Sequence, residues 1–244
     1  MTNRFDSRCL LGVFLAVAAA TAAVAAGLLA DVGQAAAGAA GQAAAILALP
    51  APRTDLAVTL DHALRHRRSV RDLADRALSL AEVGQMLWAG QGVTDPRGLR
   101  TAPSAGATYP LEIYLVAGHV VGLDAGVYRY LPASHGLAPV AAGDVRGDLA
   151  AAAAGQRWLQ AAPAILVVAA VVERTELRYG ARAVRYVDME AGAAVQNVLL
   201  QCVALGLGGT FVGAFDDAAV ERAVRLAPGE GALAIVPVGH QAAP

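Results

Sequence analysis

Ala164-Ile165-Leu166-Val167-Val168-Ala169-Ala170-Val171-Val172 is an unbroken apolar run of strand length. Such a run reads as a strand covered on both faces, at the centre of a sheet. The flanking segments are helical in pattern. Asp144 to Leu159 precedes it, and Val184 to Leu205 follows as a long helix, with Gly206 and Gly208 as C-terminal caps. Further strands are expected at Leu111 to Val116, Gly126 to Leu131 and Ala232 to Val238. Further helices are expected at Asp55 to His66, where Leu56, Leu60 and Leu64 recur every four residues, and at Asp216 to Leu226. Ser79-Leu80-Ala81-Glu82 is a capping box opening a helix through Met86, Leu87 and Trp88, stopped by Gly90 and Gly92. Strands and helices mix without strict βαβ alternation, so the expected class is α+β, a mixed sheet flanked by helices.

The 244 residues are 57% hydrophobic with a formal net charge of -1, enough for one good core plus a leader. Near-neutral charge argues against nucleic acid as the main partner. All 19 basic residues are Arg. The absence of Lys excludes Schiff-base and pyridoxal-phosphate chemistry and a Walker-type phosphate loop. The two cysteines, Cys9 and Cys202, support neither a disulfide framework nor a Cys-based zinc site, and no metal is expected.

Arg4 and Arg8 precede an apolar stretch from Cys9 to Ala30. As a helix it would be roughly 30 Å long, about the thickness of a bilayer's hydrocarbon core. Small residues near Ala26 and Ala30 also suit signal cleavage. Residues 1–30 therefore read as a signal peptide or a membrane anchor through residues 9–30. Either places the remainder on the outer, periplasmic side, exported unfolded since no twin-Arg pair is present. Residues 31–53 are an Ala/Gly-rich linker, and the folded domain is expected over 54–244, beginning near Thr54.

Four segments bear on chemistry. Arg67-Arg68-Ser69-Val70-Arg71 groups three planar, permanently charged forks around one hydroxyl. It suits either an anion site or a solvated basic helix end. Thr101 to Pro110 is a small-residue loop between prolines that lets a ligand approach the main chain closely. Gly206 to Asp216 is rich in glycine, which suits either a flat ring against the main chain or a helix cap and turn. A helix rather than a strand leads into it, so it is not a dinucleotide fingerprint. Glu173 to Arg182 follows the central strand as a polar loop.

Taken in order, RRSVR, LSLAEVGQMLW, TAPSAGATYPLEIYLV, RYGARAVRYVDMEAGAAVQNVLLQCVALGLGGTFVGAFD and IVPVGH resemble the flavin-dependent nitroreductase superfamily, most nearly its SagB-type, azoline dehydrogenase-like branch. The resemblance spans about Leu60 to Gln241. It implies an FMN-binding α+β fold, a homodimer with FMN at its interface, ping-pong hydride transfer and a small-molecule substrate, with NAD(P)H as one electron donor. It further implies that Arg67, Arg68, Ser69 and Arg71 hold the phosphate and ribityl chain or the ring's polar edge. Pro103, Ser104, Ala105 and Gly106 would come from the partner subunit, and Val212, Gly213 and Ala214 would line the ring. The branch's catalytic Lys-Tyr pair is matched here by Arg178-Tyr179, and Arg does not release its proton in proteins. The basic residues that many members carry after the last strand are missing, since the chain ends Gly239-His240-Gln241-Ala242-Ala243-Pro244. These two departures motivate an alternative, a non-catalytic flavin- or nucleotide-binding protein on the same fold.

Overall fold

The apolar runs are apolar because they lie at the centre of one sheet with a core on each face. The computed structural model describes residues 45–242. In chain order the strands are β1 (Leu47–Ala48), β2 (Leu111–Ala117), β3 (Gly126–Leu131), β4 (Gly136–Ala142), β5 (Ala164–Ala170), β6 (Leu207–Gly209) and β7 (Gly231–His240). They form a sheet ordered β1-β4-β3-β2-β5-β7-β6. Among the described residues every ladder is antiparallel, and parallel pairing is confined to single bridges, Ser69 with Gly209 and Leu78 with Val120. All seven residues of β5 are buried. Alternate side chains leave opposite faces of a strand, so Leu166 and Val168 enter one core while Ile165 and Val167 enter the other.

The first core is closed by α2 (Leu80–Gln91) and the long α6 (Ala183–Ala204), through Val83, Met86, Leu87, Val187, Ala194 and Val198. The second is closed by α3 (Arg146–Ala152), α4 (Trp158–Ala161) and α7 (Asp217–Val224), through Leu149, Leu159, Val220 and Val224. Two short helices remain, α1 (Leu60–His66) and α5 (Glu173–Tyr179). The capping box is formed as read. Ser79 Oγ accepts from Glu82 N at 3.2 Å, and Glu82 Oε2 accepts from Ser79 N at 2.7 Å.

Several local expectations are corrected. The first helix starts at Leu60, capped by Thr59, and leaves Leu60 and Leu64 exposed rather than in the core. Gly90 does not stop α2. It lies within the helix, and a Cβ there would sit 2.8 Å from Ile113 Cδ1, so it permits close helix–sheet approach. The span Asp144 to Leu159 is two short helices, parted by left-handed backbone at Ala154 and Gly155. Strand β4 is not among the strands expected from the sequence, and it contains Pro139. Pro139 lies beyond the two residues that pair with β1, where a missing N–H is tolerated. Glu173 to Tyr179 is a helix, with acids in its first turn and Arg178 in its last, an arrangement favourable to the helix dipole. Gly208 is not a helix cap but a β6 residue, whereas Gly206, at φ +70°, does close α6.

Residues upstream of Thr54 join the sheet. Leu47 and Ala48 pair with β4, and His135 Nε2 lies 2.9 Å from Pro50 O. The leader and most of the linker lie outside the described residues.

Candidate active site

After α1 the chain turns extended and lies along β6. Val70 N donates to Gly209 O at 3.0 Å, and Thr210 Oγ1 donates to Val70 O at 2.5 Å. Gly208 makes this possible, since a Cβ there would lie 2.8 Å from Val70 Cβ. The basic pentad is thereby strapped beside the glycine-bearing turn. Its guanidinium groups then diverge. Arg67 and Ser69 line a cavity of about 200 Å³ with Gly192, Gln196 and Leu199 of α6 and with Phe211. Arg67 has no carboxylate within 4.0 Å among the described residues. Arg68 Nη1 instead donates to the carbonyls of Arg65 and Arg67, at 3.0 and 2.8 Å. Arg71 stacks 5.7 Å over the Trp158 ring. Of the four pentad residues singled out, only Arg67 and Ser69 share this cavity.

Beyond Thr210 the chain is pinned at Val212, whose N–H and C=O both pair with Ile235, at 2.9 and 3.0 Å. The Val212 side chain is buried in the second core, so only its main chain can face a ligand. Gly213 and Ala214 are exposed. A Cβ built on Gly213 meets nothing within 4 Å.

A second group forms around the loop before β2. Pro103, Ser104 and Ala105 line a cavity of about 300 Å³ with Tyr186, Met189 and Glu190 of α6. Glu190 Oε1 accepts from Ala105 N at 2.6 Å and from Ser104 Oγ at 3.0 Å, while Ser104 Oγ accepts from Tyr109 N at 2.9 Å. Gly106 has φ +60°, and a Cβ there would meet Tyr179 Oη at 2.7 Å. Arg178 Nη1 donates to Gly106 O at 3.2 Å. Tyr179 meets Tyr186 edge-on, with ring centroids 5.1 Å apart. The loop and the Arg178-Tyr179 pair, some 70 residues apart in sequence, therefore form one surface.

Glu190 and Tyr186 went unnoticed in the sequence. Glu190 is only 6% exposed, and burial pushes its carboxyl above the usual range, against the lowering effects of Ala105 N–H, Ser104 and the Arg100 charge. The available signal was an acid in the buried stripe Val187, Glu190, Ala191, Ala194. No described residue lines both cavities, whose α6 residues (186, 189 and 190 against 192, 195, 196 and 199) point to different sides of the helix.

The sequence model of the nitroreductase family matches residues 64–240. This chain belongs to the nitroreductase family. A candidate nitroreductase of Methanocaldococcus jannaschii is 44% identical over 184 residues, covering 75% of this chain and 92% of that protein. The microcin B17-processing protein of Escherichia coli is 28% identical, covering 61% of this chain and 57% of its own length. Among solved structures, a candidate nitroreductase of Ralstonia eutropha superposes with a TM-score of 0.73 at 27% identity, covering 84% of this chain and 93% of that one. A candidate nitroreductase of Desulfovibrio desulfuricans, solved in complex with FMN, gives 0.55 at 25% identity, covering 76% and 88%. The α+β nitroreductase-like fold and the assignment as a nitroreductase-family oxidoreductase follow. Both cavities described above lie within the matched residues.

Proposed function

We propose that this nitroreductase-family chain is an FMN-dependent oxidoreductase of the SagB-type branch, acting on a small molecule as a homodimer. The observation that carries this reading is the cavity shared by Arg67, Ser69 and Phe211. It brings a guanidinium without a carboxylate partner and a hydroxyl up to the turn that presents Gly213. These groups fit FMN. Arg67, with Ser69, would offset and bond the phosphate, while Arg68 and Arg71 add positive charge nearby. The exposed main chain of Gly213 and Ala214 would lie along the ring, with Val212 fixing that turn to β7. An N–H near the ring stabilises negative charge on it. FMN, when bound, supplies two-electron hydride transfer, accepting from NAD(P)H or another donor and delivering to substrate in ping-pong order.

The dimer is supported by the separation of the two cavities on α6. Within one chain the loop Pro103–Gly106 does not border the Arg67 cavity, so a second copy would bring the two together. Exposed apolar side chains at Leu177, Val184, Met189 and Phe211 suit such an interface. The SagB-type assignment is supported by the likeness to the microcin B17-processing protein and by the position of Tyr179 against Gly106. Export is supported by Arg4 and Arg8 ahead of the apolar leader. Among the described residues no helix is long and apolar enough to cross a membrane.

The test is the visible spectrum of the full chain purified without added cofactor. A yellow protein that bleaches with dithionite or NAD(P)H and recovers with a quinone or nitroaromatic acceptor is expected. A colourless protein that takes up no added FMN overturns the reading. The engagement of Arg178 with Gly106 O favours the alternative of a flavin-binding protein without turnover. A yellow sample that no acceptor reoxidises would establish it.

A further inference from the structure

Arg178 occupies the position of a base it cannot be, and Tyr179 has no hydrogen-bond partner for its hydroxyl among the described residues. The same cavity nonetheless contains a carboxyl group. Glu190 is more than nine-tenths buried, and both of its donors, Ala105 N–H and Ser104 Oγ–H, bond to Oε1. Oε2 has no protein partner among the described residues. It is also not sealed from solvent, because the buried side-chain atoms lacking a partner are Arg100 Nε and Gln201 Nε2 alone among those residues. Glu190 lines the cavity of about 300 Å³ with Pro103, Tyr186 and Met189, and Oε2 is the oxygen left to face it. Two donors on Oε1 make it the acceptor, so a proton taken up by this carboxyl would sit on Oε2.

We propose that Glu190 is the proton-transferring residue of this site, donating from Oε2 to a small-molecule acceptor in the Pro103–Met189 cavity. The inference rests on the function proposed above, in which the loop Pro103–Gly106 borders the cofactor of the second copy. Bound FMN would supply the hydride to a quinone or nitro acceptor, and Glu190 would supply the proton: the Oε2–H bond would break and its proton would pass to the acceptor oxygen. The electron pair of that bond stays on the carboxylate, which Ala105 N–H and Ser104 stabilise and solvent reprotonates. In the oxidising direction the carboxylate accepts the proton, the task Arg178 cannot perform. The charge acting on it is Arg100, from the segment after α2; Tyr186 of α6 shares its cavity, and Arg178 and Tyr179 of α5 lie against the loop at Gly106. Arg100 favours the anion and burial the acid, and burial is the larger effect. Burial thus raises the carboxyl above its ordinary range, the direction that suits a general acid.

The experiment pairs infrared titration of the full chain with kinetics of Glu190→Gln. The amide oxygen of Gln still accepts both loop hydrogen bonds, so fold and FMN content should match wild type. Wild type should show a protonated-carboxyl stretch that persists above the usual carboxylate range and is missing in Glu190→Gln. Turnover of a quinone should fall on the order of 10²- to 10⁴-fold. The decline of wild-type kcat as rising pH deprotonates the acid should be absent in the variant. Glu190→Asp, which keeps an acid on a shorter arm, should restore part of the rate and the pH dependence. Wild-type kcat and pH profile in Glu190→Gln overturn the proposal, as does a wild-type spectrum without the band. A chain that binds no FMN defeats the proposed function instead, and the infrared titration then decides the Glu190 proton separately.

Discussion

The two halves of the candidate site are built by different means. On the Arg67 side, main chain does the positioning. Val70, Gly209, Val212 and Ile235 are joined by backbone hydrogen bonds, and glycines allow the strands to approach. On the Ser104 side, side chains do it. Glu190 grips the loop, Arg178 bonds Gly106 O, and Tyr179 packs where Gly106 lacks a Cβ. The first half is a rigid shelf left open to a ligand. The second is a loop whose shape depends on a buried carboxyl group, and it therefore carries ionisable chemistry the first half lacks.

Substitutions can break that comparison. The largest effect is expected at Gly213→Val. No atom lies within 4 Å of the new Cβ, so stability should stay within about 0.5 kcal/mol, as at an ordinary surface site. Bound flavin should nevertheless be lost, and normal flavin content would remove the ring from this turn. Arg67→Ala comes next. Loss of a charge-assisted contact, about 1.5–3 kcal/mol, should weaken FMN binding by tenfold or more in a fluorescence titration. Gly208→Val tests the shelf as a packing device. Its Cβ would fall 2.8 Å from Val70 Cβ, and overpacking of about 1–3 kcal/mol should lower the urea midpoint. Flavin loss without destabilisation there would mean that Gly208, not Gly213, meets the ligand.

Smaller effects probe the second half. Ser104→Ala removes the acceptor of Tyr109 N–H and one donor to Glu190, at a cost of about 1–2 kcal/mol in denaturant unfolding. An unchanged midpoint would show that the loop is held without this hydroxyl. Tyr179→Phe is expected to leave stability unaltered, because the hydroxyl has no protein partner among the described residues. It should alter turnover only where substrate protons pass through that oxygen, and equal kcat over the whole pH range would make Tyr179 structural.

The legible parts were those fixed by local pattern. The capping box at Ser79, the buried strand β5 and the span of α6 follow from spacing along the chain, because a helix or strand repeats its face over neighbouring residues. Gly90 and Gly208 read as helix ends in the sequence, whereas the structure uses them for close approach. Gly208 meets Val70 and Gly90 meets Ile113, whereas Gly213 faces open space. Strand β4 contains Pro139, whose tolerance there depends on how far β1 extends along it, a fact that only the pairing supplies. The pentad read as one clamp because its charges are adjacent in sequence. An extended chain sends successive side chains to opposite sides, which keeps Arg67 and Ser69 together and turns Arg68 back onto the carbonyls of Arg65 and Arg67, while alternation alone does not account for Arg71, which stacks on Trp158.

By itself the sequence determined an α+β chain with a buried central strand, a long helix closed by glycine, no Lys-based chemistry, and a motif order resembling the nitroreductase superfamily. Periodicity, capping and composition are carried by near neighbours, and that is why they survive without coordinates. Only the tertiary structure decided which arginine reaches the cavity and that Glu190 holds Ala105 across 85 residues of chain. Those facts depend on desolvation and hydrogen bonding between distant segments. Such terms come into being only when β2, β5 and α6 pack together.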